Sequence, residues 1–310
     1  MKRLDYRVTA ADEGRLLREV IARRMDVSKR LLTRLKAHPL GILVNGERRT
    51  VRYAVHVGDV ISLALAPSEA GSDIIHEDLP LTVVYEDDML LVVDKPPGVT
   101  MFPRRRGERG SLAGAVLAHL AKTDPACTFH PVSRLDIGTS GLVLLAKNSY
   151  AAGILSKNRA KKYYQCFAFG RLCTPLTLTG EIAEASEALR HAAGPLFVVA
   201  RGGKTCQTIV MPLAYSKALQ ATACWVRIDT GRRHQIRVHL AHQGHPLIGD
   251  VTYGGPAVRA KRPLLHAAAL CYAHPEDGRL MQHFLPMHVY DNEPDAVLID
   301  EFQTDYSETR

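Results

Sequence analysis

No stretch of this 310-residue chain approaches the roughly 18–20 consecutive apolar residues that a membrane-crossing helix requires, and the opening MKRLDYRVTAADEG is too polar for a secretory leader. A cytoplasmic protein with no membrane association is expected. Cysteine is sparse: the six residues 127, 166, 173, 206, 224 and 271 form no CxxC pair, which argues against a zinc knuckle and against a disulfide framework. Neither GxxxxGK[ST] nor a strand-borne GxGxxG occurs, so neither a triphosphate nor a dinucleotide cofactor is indicated. No HExxH order and no repeat with a period of about 20–50 residues is present.

What is present is an ordinary globular composition, 46% apolar and 23% charged, sufficient for a large core and two or three domains. The net charge of +8 is unevenly distributed. Residues 1–59 hold fourteen Lys and Arg against seven Asp and Glu, a surplus of +7, whereas residues 291–310 hold seven acids and one arginine, or −6. A basic module on a near-neutral body is the footprint of a polyanion partner, because neutralising phosphates releases counterions. A solvated basic surface is the alternative.

Four segments follow from the patterning: a compact unit over 1–66, a Pro/Ser/Gly-bearing linker over 67–80, a main domain over 81–290 and an acidic tail over 291–310. In the first unit, GRLLREVIARRM has helical apolar spacing, Ser28 caps a second helix through KRLLTRLKA, and GILVNGERR and VGDVISLALA read as strands around an Asn45/Gly46 turn. This arrangement exposes Lys29, Arg30, Arg34 and Lys36 on one face. In the main domain, LTVVYEDDMLLVVDK, LVLLAK, YYQCFAFG, CWVRIDTG and RLMQHFLP read as strands and SLAGAVLAHLAK as a helix. Strands outnumber helices, which predicts an α+β fold with a mixed, largely antiparallel sheet, preceded by a small α+β domain.

Two segments concentrate polar chemistry. In SRLDIGTSGLVLLAKN, residues 133–148, Asp136 precedes a small-residue turn at the mouth of a buried strand, where a carboxylate is half desolvated and needs a partner. Capping of that turn by Asp136 is an equally simple reading. In TGRRHQIRVHLAHQGHPLIGD, residues 230–250, GRRHQIRVHL reads as a helix with Arg233 and Arg237 on one side. His234, His239, His242 and His245 raise a metal alternative, but Asp250 is the one carboxylate nearby, and cations serving a carboxylate or phosphate fit the segment better. MFPRRRGERG, with Arg104, Arg105 and Arg106, reads as a flexible cationic loop that clamps phosphates or is merely solvated.

RLDxxTSGLxLLAK followed about a hundred residues later by TGRxHQIRVHLAxxGHPLxGD resembles the RluA-type RNA pseudouridine synthases, with VYEDDMLLVVDKPPGV, KKYYQCFAFG, GKTCQT and LLHAAAL in supporting order over residues 80–290. Residues 14–65 resemble the S-four RNA-binding domain, which would make Lys29, Arg30, Arg34 and Lys36 phosphate contacts. The resemblance implies a catalytic domain of pseudouridine synthase type and Asp136 as the covalent participant in breaking the uracil glycosidic bond and rejoining the ring through carbon 5. It implies that Arg237 pairs with and aims Asp136, that Tyr164, with Lys162 before it, stacks on the uracil and assists proton removal, and that Arg134 fills the space left by the flipped nucleotide. A lone acid suffices, since no water need be activated, in contrast to hydrolases that pair two carboxylates.

The resemblance further implies structured RNA as partner, ribosomal ahead of transfer RNA, with no cofactor, no metal and a monomeric enzyme. The sequence departs from the family at Ser133, at Ile137 and Gly138, at Phe102, and in a short LSKNRAKKYY, all of which bear on RNA choice. A non-catalytic RNA-binding factor and a nucleoside hydrolase or glycosylase are the competing readings.

Overall fold

The computed structural model describes residues 3–65, 73–124, 127–187, 196–217, 219–257 and 260–287. The expected acidic tail, and the linker up to residue 72, lie outside the described residues.

The N-terminal unit begins with a strand that the sequence reading did not anticipate, β1 (Arg3–Arg7). Helices α1 (Leu17–Arg24) and α2 (Lys29–Ala37) follow, the second started by the Ser28 hydroxyl, which accepts from the Leu31 amide. β2 (Ile42–Val44) turns into β3 (Glu47–Arg48) through Asn45 and Gly46, both at positive φ, the requirement of a tight two-residue hairpin. With β4 (Val60–Ala64) these strands form an antiparallel sheet in the order β1-β4-β2-β3. α2 buries Leu31 and Leu35 and leaves Lys29, Arg30, Arg34 and Lys36 in solvent.

The second sheet has eleven strands. β5 (Thr82–Glu86) and β6 (Leu90–Lys95) flank the acidic turn, and α3 (Leu112–Ala121) and the short β7 (His130–Pro131) lead to β8 (Ser140–Ala146). α4 (Ser149–Asn158) and β9 (Lys161–Phe169) follow, then β10 (Leu176–Glu184), β11 (Phe197–Val199), β12 (Lys204–Ser216) and β13 (Ala221–Ile228). Last come α5 (Gln235–His242), β14 (Leu265–Ala273) and β15 (Leu280–Phe284). The spatial order is β11-β10-β12-β13-β9-β14-β8-β6-β5, with β15 on β14 and β7 on β8. Pairing is antiparallel except between β14 and β8, so the sheet is mixed and largely antiparallel as expected.

The unbroken apolar runs of β6 and β8 arise because both faces of the sheet are covered. Side chains alternate across a strand, and Leu142, Leu144 and Ala146 pack with α4 and with the apolar residues of the N-terminal unit. Val143 and Leu145 point the other way, to a core shared by α3, by Ile236 and Leu240 of α5, and by Tyr164. At the start of β8, Gly141 adopts φ +104°, and a Cβ there would lie 2.5 Å from the Ala267 carbonyl oxygen of β14. That close approach closes the parallel seam, and the chain just before it carries Asp136.

Three local differences from the sequence reading have physical causes. Residues 73–80 are tied to the main domain, since the Glu77 amide donates to the Gly114 carbonyl and its carboxylate accepts from the Gly110 amide. The arginine loop is closed by Glu108, whose carboxylate accepts from the Arg104 and Arg105 amides, and is thus a structured turn. α5 starts only at Gln235, because His234 takes a left-handed conformation at φ 55°. Arg233 therefore lies outside the helix and shares no helical face with Arg237; its guanidinium sits over the Phe197 ring.

Candidate active site

A cleft of about 930 Å³ opens on the α3/α5 side of the sheet. Asp136, Arg134, Lys162, Tyr164 and Arg237 all line it, so residues spread over 103 positions of sequence converge on one space. Of the arginines in the loop over residues 101–110, Arg104 alone lines the cleft, while Arg106 pairs with Asp73 at 3.2 Å on the surface. Lys29, Arg30, Arg34 and Lys36 of α2 are not among its lining residues.

Asp136 sits in the turn before β8, its side chain 25% exposed. The backbone around it is fixed: its carbonyl accepts from the Thr139 amide, and the next carbonyl, Ile137, accepts from the Gly98 amide at 2.7 Å and from Lys95 Nζ at 3.4 Å. Lys95 is fully buried and also donates to the carbonyls of Pro96 and Val99 at 2.8 and 3.0 Å. Burial, then Arg262, pushes its pKa down to about 7, against the opposing pull of Asp136 and Asp94. The DKPPG stretch thus anchors the segment carrying the acid, a function that pattern reading did not assign to it.

Arg237 faces Asp136, Nη1 to Oδ2 at 3.4 Å. Its stronger grip is elsewhere. Nε and Nη2 donate to the two carboxylate oxygens of Asp250 at 2.7 and 2.8 Å, a fork-to-fork pair that is almost wholly buried. Burial opposes the charge of Arg237, but Asp250 and then Asp136 outweigh it and hold the guanidinium more firmly protonated than usual. The Tyr253 ring lies 5.0 Å below the guanidinium. Asp250 therefore fixes Arg237, and Arg237 with one remaining nitrogen addresses Asp136.

Gln235 explains why α5 starts where it does. Its side-chain oxygen accepts from Thr230 Oγ1 and the Arg232 amide, and its nitrogen donates to the Gln207 carbonyl and Thr208 Oγ1. Every polar atom of this buried amide is satisfied, and the loop before Arg237 is locked to β12. His234 packs edge-on between Phe197 and Tyr253, its Nδ1 2.8 Å from the Tyr253 hydroxyl and its Nε2 3.9 Å from Asp136. Burial lowers its proton affinity despite the pull of Asp136. The other histidines do not join it: His239 bonds to Thr208 and His245 to the Phe169 carbonyl.

Tyr164 is buried in β9, with its hydroxyl bonded to no described residue. Desolvation and, next, the charge of Asp136 push its pKa well above the ordinary phenol range. The phenol is therefore neutral at ordinary pH and not a phenolate. Thr139 Oγ1 is likewise buried beside the acid and meets no hydrogen-bond partner among the described residues. The departures from the family pattern also find places. Ser133 accepts from the Leu144 amide, Gly138 leaves room for Pro263, and Phe102 and Ile137 give the cleft an apolar rim.

The family model described as RNA pseudouridylate synthase matches residues 89–242. A Bacillus subtilis (strain 168) protein named uncharacterized RNA pseudouridine synthase YjbO is 32% identical over 268 residues, covering 85% of this chain and 92% of that protein. Ribosomal large subunit pseudouridine synthase D of Neisseria meningitidis serogroup A is 32% identical over 262 residues, covering 79% of this chain and 68% of that protein. Among solved structures, human RNA pseudouridylate synthase domain containing 1 superposes with a TM-score of 0.55 at 25% identity, over 68% of this chain and 85% of the other. Human RNA pseudouridylate synthase domain containing 4 shares the fold, with a TM-score of 0.54 at 17% identity over 72% and 93%. The chain belongs to the RNA pseudouridylate synthase family, in its RluA type, and is an RNA uridine isomerase.

Proposed function

We propose that this RluA-type synthase converts specific uridines of structured ribosomal RNA to pseudouridine, with Asp136 as the carboxylate that becomes covalently joined to the substrate. The observation that carries this reading is the placement of one largely buried acid, faced by Arg237, in the same cation-lined cleft as the buried Tyr164.

The target nucleotide leaves its stack and enters the cleft, and Arg134, exposed at the rim, takes up the vacated space. The bond between N1 of uracil and C1′ of ribose breaks while Asp136 engages the substrate. The freed ring turns, a bond forms between C5 and C1′ as the bond to Asp136 breaks and returns the free carboxylate, and the proton on C5 leaves as N1 gains one. Atoms balance without water or an external electron carrier. The Tyr164 ring is the stacking platform, and its hydroxyl, kept protonated, passes the C5 proton on in step with acceptance by the carboxylate side of the site. Arg237 supplies a fixed positive charge where the acid carries and returns its negative one.

Two features favour ribosomal over transfer RNA. The Neisseria relative carries the large ribosomal subunit in its name, and the basic outer face of α2 offers Lys29, Arg30, Arg34 and Lys36 to a folded RNA surface. The Asp136→Asn variant tests the assignment. Wild-type protein with ribosomal RNA should yield a mass-neutral, carbodiimide-reactive nucleoside, and the variant should yield none while still binding RNA. Modification by Asp136→Asn, or stoichiometric release of free uracil by the wild type, would overturn the reading. Mapping pseudouridines in ribosomal and transfer RNA from cells with and without the gene decides the RNA class.

A further inference from the structure

A smaller cavity of about 230 Å³ adjoins the main cleft and shares Pro131, Val132, Lys162, Gly231 and Arg232 with it. Its own wall adds Ser156 and Arg159 from the end of α4 and Thr230 before α5. The space equals that of about seven or eight waters, enough for a hydrated phosphate but not for a packed nucleotide.

The charge on this wall is unbalanced. Arg159 and Lys162 on this wall, like Arg134 in the adjoining main cleft, have no carboxylate partner among the described residues, and the one acid lining the cavity, Asp229, lies 3.6 Å from Arg227. Arg232 turns Nε and Nη2 to the Thr205 carbonyl, and its Nη1 meets no hydrogen-bond partner among the described residues. Lys162 Nζ rests against Gly231, where a Cβ would lie 3.4 Å away. Burial, followed by the charges of Arg134 and Arg159, pushes Lys162 below the usual lysine range. Cations held this close without an acid are relieved by an arriving anion.

We propose that this side cavity is a phosphodiester subsite, in which Arg159, Lys162 and Arg232 hold a backbone phosphate of the RNA strand next to the nucleotide in the main cleft. The proposal rests on the uridine-isomerase reading for the identity of the strand, while the anion site itself rests on the cavity and its cations. It also gives the strand a direction. Val132, which lines both spaces, packs against the core cluster that holds the apolar residues of the N-terminal unit. A strand leaving the cleft through the side cavity therefore meets the N-terminal unit next.

The test uses the full-length protein and a fluorescein-labelled RNA hairpin built around a uridine that the wild type converts in ribosomal RNA. Arg159→Gln removes one charge from an exposed side chain, and thermal melting checks that the fold is kept. Expected are an RNA Kd about tenfold higher, a loss falling on KM rather than kcat, and a slope of log Kd against log salt shallower by about 0.7–0.9. Arg159→Lys should restore the slope. An uncharged methylphosphonate at a single position within two nucleotides of the target uridine should weaken wild-type binding and add little to Arg159→Gln, the signature of two groups in direct contact. Equal Kd and salt slope for wild type and Arg159→Gln, or methylphosphonate effects that add at every position, would overturn the subsite. If wild type converts no uridine, the isomerase reading fails by itself, and Kd and salt slope on unmodified ribosomal RNA fragments still decide the anion site.

Discussion

Replacing Asp250 with asparagine separates the residue that aims from the residue that reacts. Asp250 is 1% exposed and accepts two charge-assisted hydrogen bonds from Arg237, at 2.7 and 2.8 Å. Asparagine retains the shape and one acceptor but loses the negative charge, leaving a buried guanidinium half satisfied. Breaking a buried pair from one side costs about 3–5 kcal/mol, and at roughly 1.5 °C per kcal/mol for a chain of this size the Tm should fall by about 5–8 °C. The effect on turnover has a separate origin. With Asp250 neutral, the nearest carboxylate for Arg237 is Asp136, now 3.4 Å away, and the guanidinium draws the acid out of line. Misplacement of a reacting group by about 1 Å lowers kcat by about a hundredfold. A double variant, Arg237→Met with Asp250→Asn, should melt above Asp250→Asn alone, because no buried charge is stranded, yet remain inactive. Calorimetry and carbodiimide-detected turnover read both quantities. An Asp250→Asn protein with wild-type Tm and turnover, or a double variant no more stable than the single one, would refute this account of Arg237.

Tyr164→Phe should leave stability within about 1 kcal/mol, because the lost hydroxyl bonds to no described residue, while kcat falls by about 10²–10⁴-fold; a purely structural tyrosine would leave kcat unmoved. Lys95→Met should be less stable than wild type at alkaline pH, where the burial penalty of the charged lysine is gone and its carbonyl partners still lose their donor. Its pH dependence is the sharper readout. The folded lysine has its pKa lowered to about 7 from 10.5, so between these values the unfolded chain binds the extra proton and wild-type stability rises with pH, by up to about 1.4 kcal/mol per unit. Lys95→Met should lack that rise, and parallel urea-stability curves from pH 7 to 10 would contradict it.

Local signals were readable without coordinates. The Ser28 cap, the Asn45/Gly46 turn and the apolar period of α1 act within a few residues of themselves. β1 escaped notice because RLDYR carries little strand signal and is ordered by pairing with β4, more than fifty residues on. The left-handed turn at His234 arises from its contacts with Phe197 and Tyr253, which no helical periodicity encodes. Within the site, Asp136, Tyr164 and Arg237 stood out by motif resemblance, and the structure brings them to one cleft. Lys95 and Asp250 lie in the same motifs but act through neighbours, Lys95 on the Ile137 carbonyl and Asp250 on Arg237, so their parts become visible only with the geometry.

The acid before β8 and the guanidinium on α5 are 101 residues apart in the chain, with β9 through β13 laid down between them. Their meeting depends on long-range pairing that forms late, since loop closure is costly until the intervening sheet rewards it. A polypeptide still emerging from the ribosome, or truncated before α5, can display the acid but has no counterpart to steer it. With Asp136 as the proposed reacting group, competence to break a glycosidic bond is coupled to completion of the topology, and fragments of this enzyme are expected to be chemically silent towards the RNA around them.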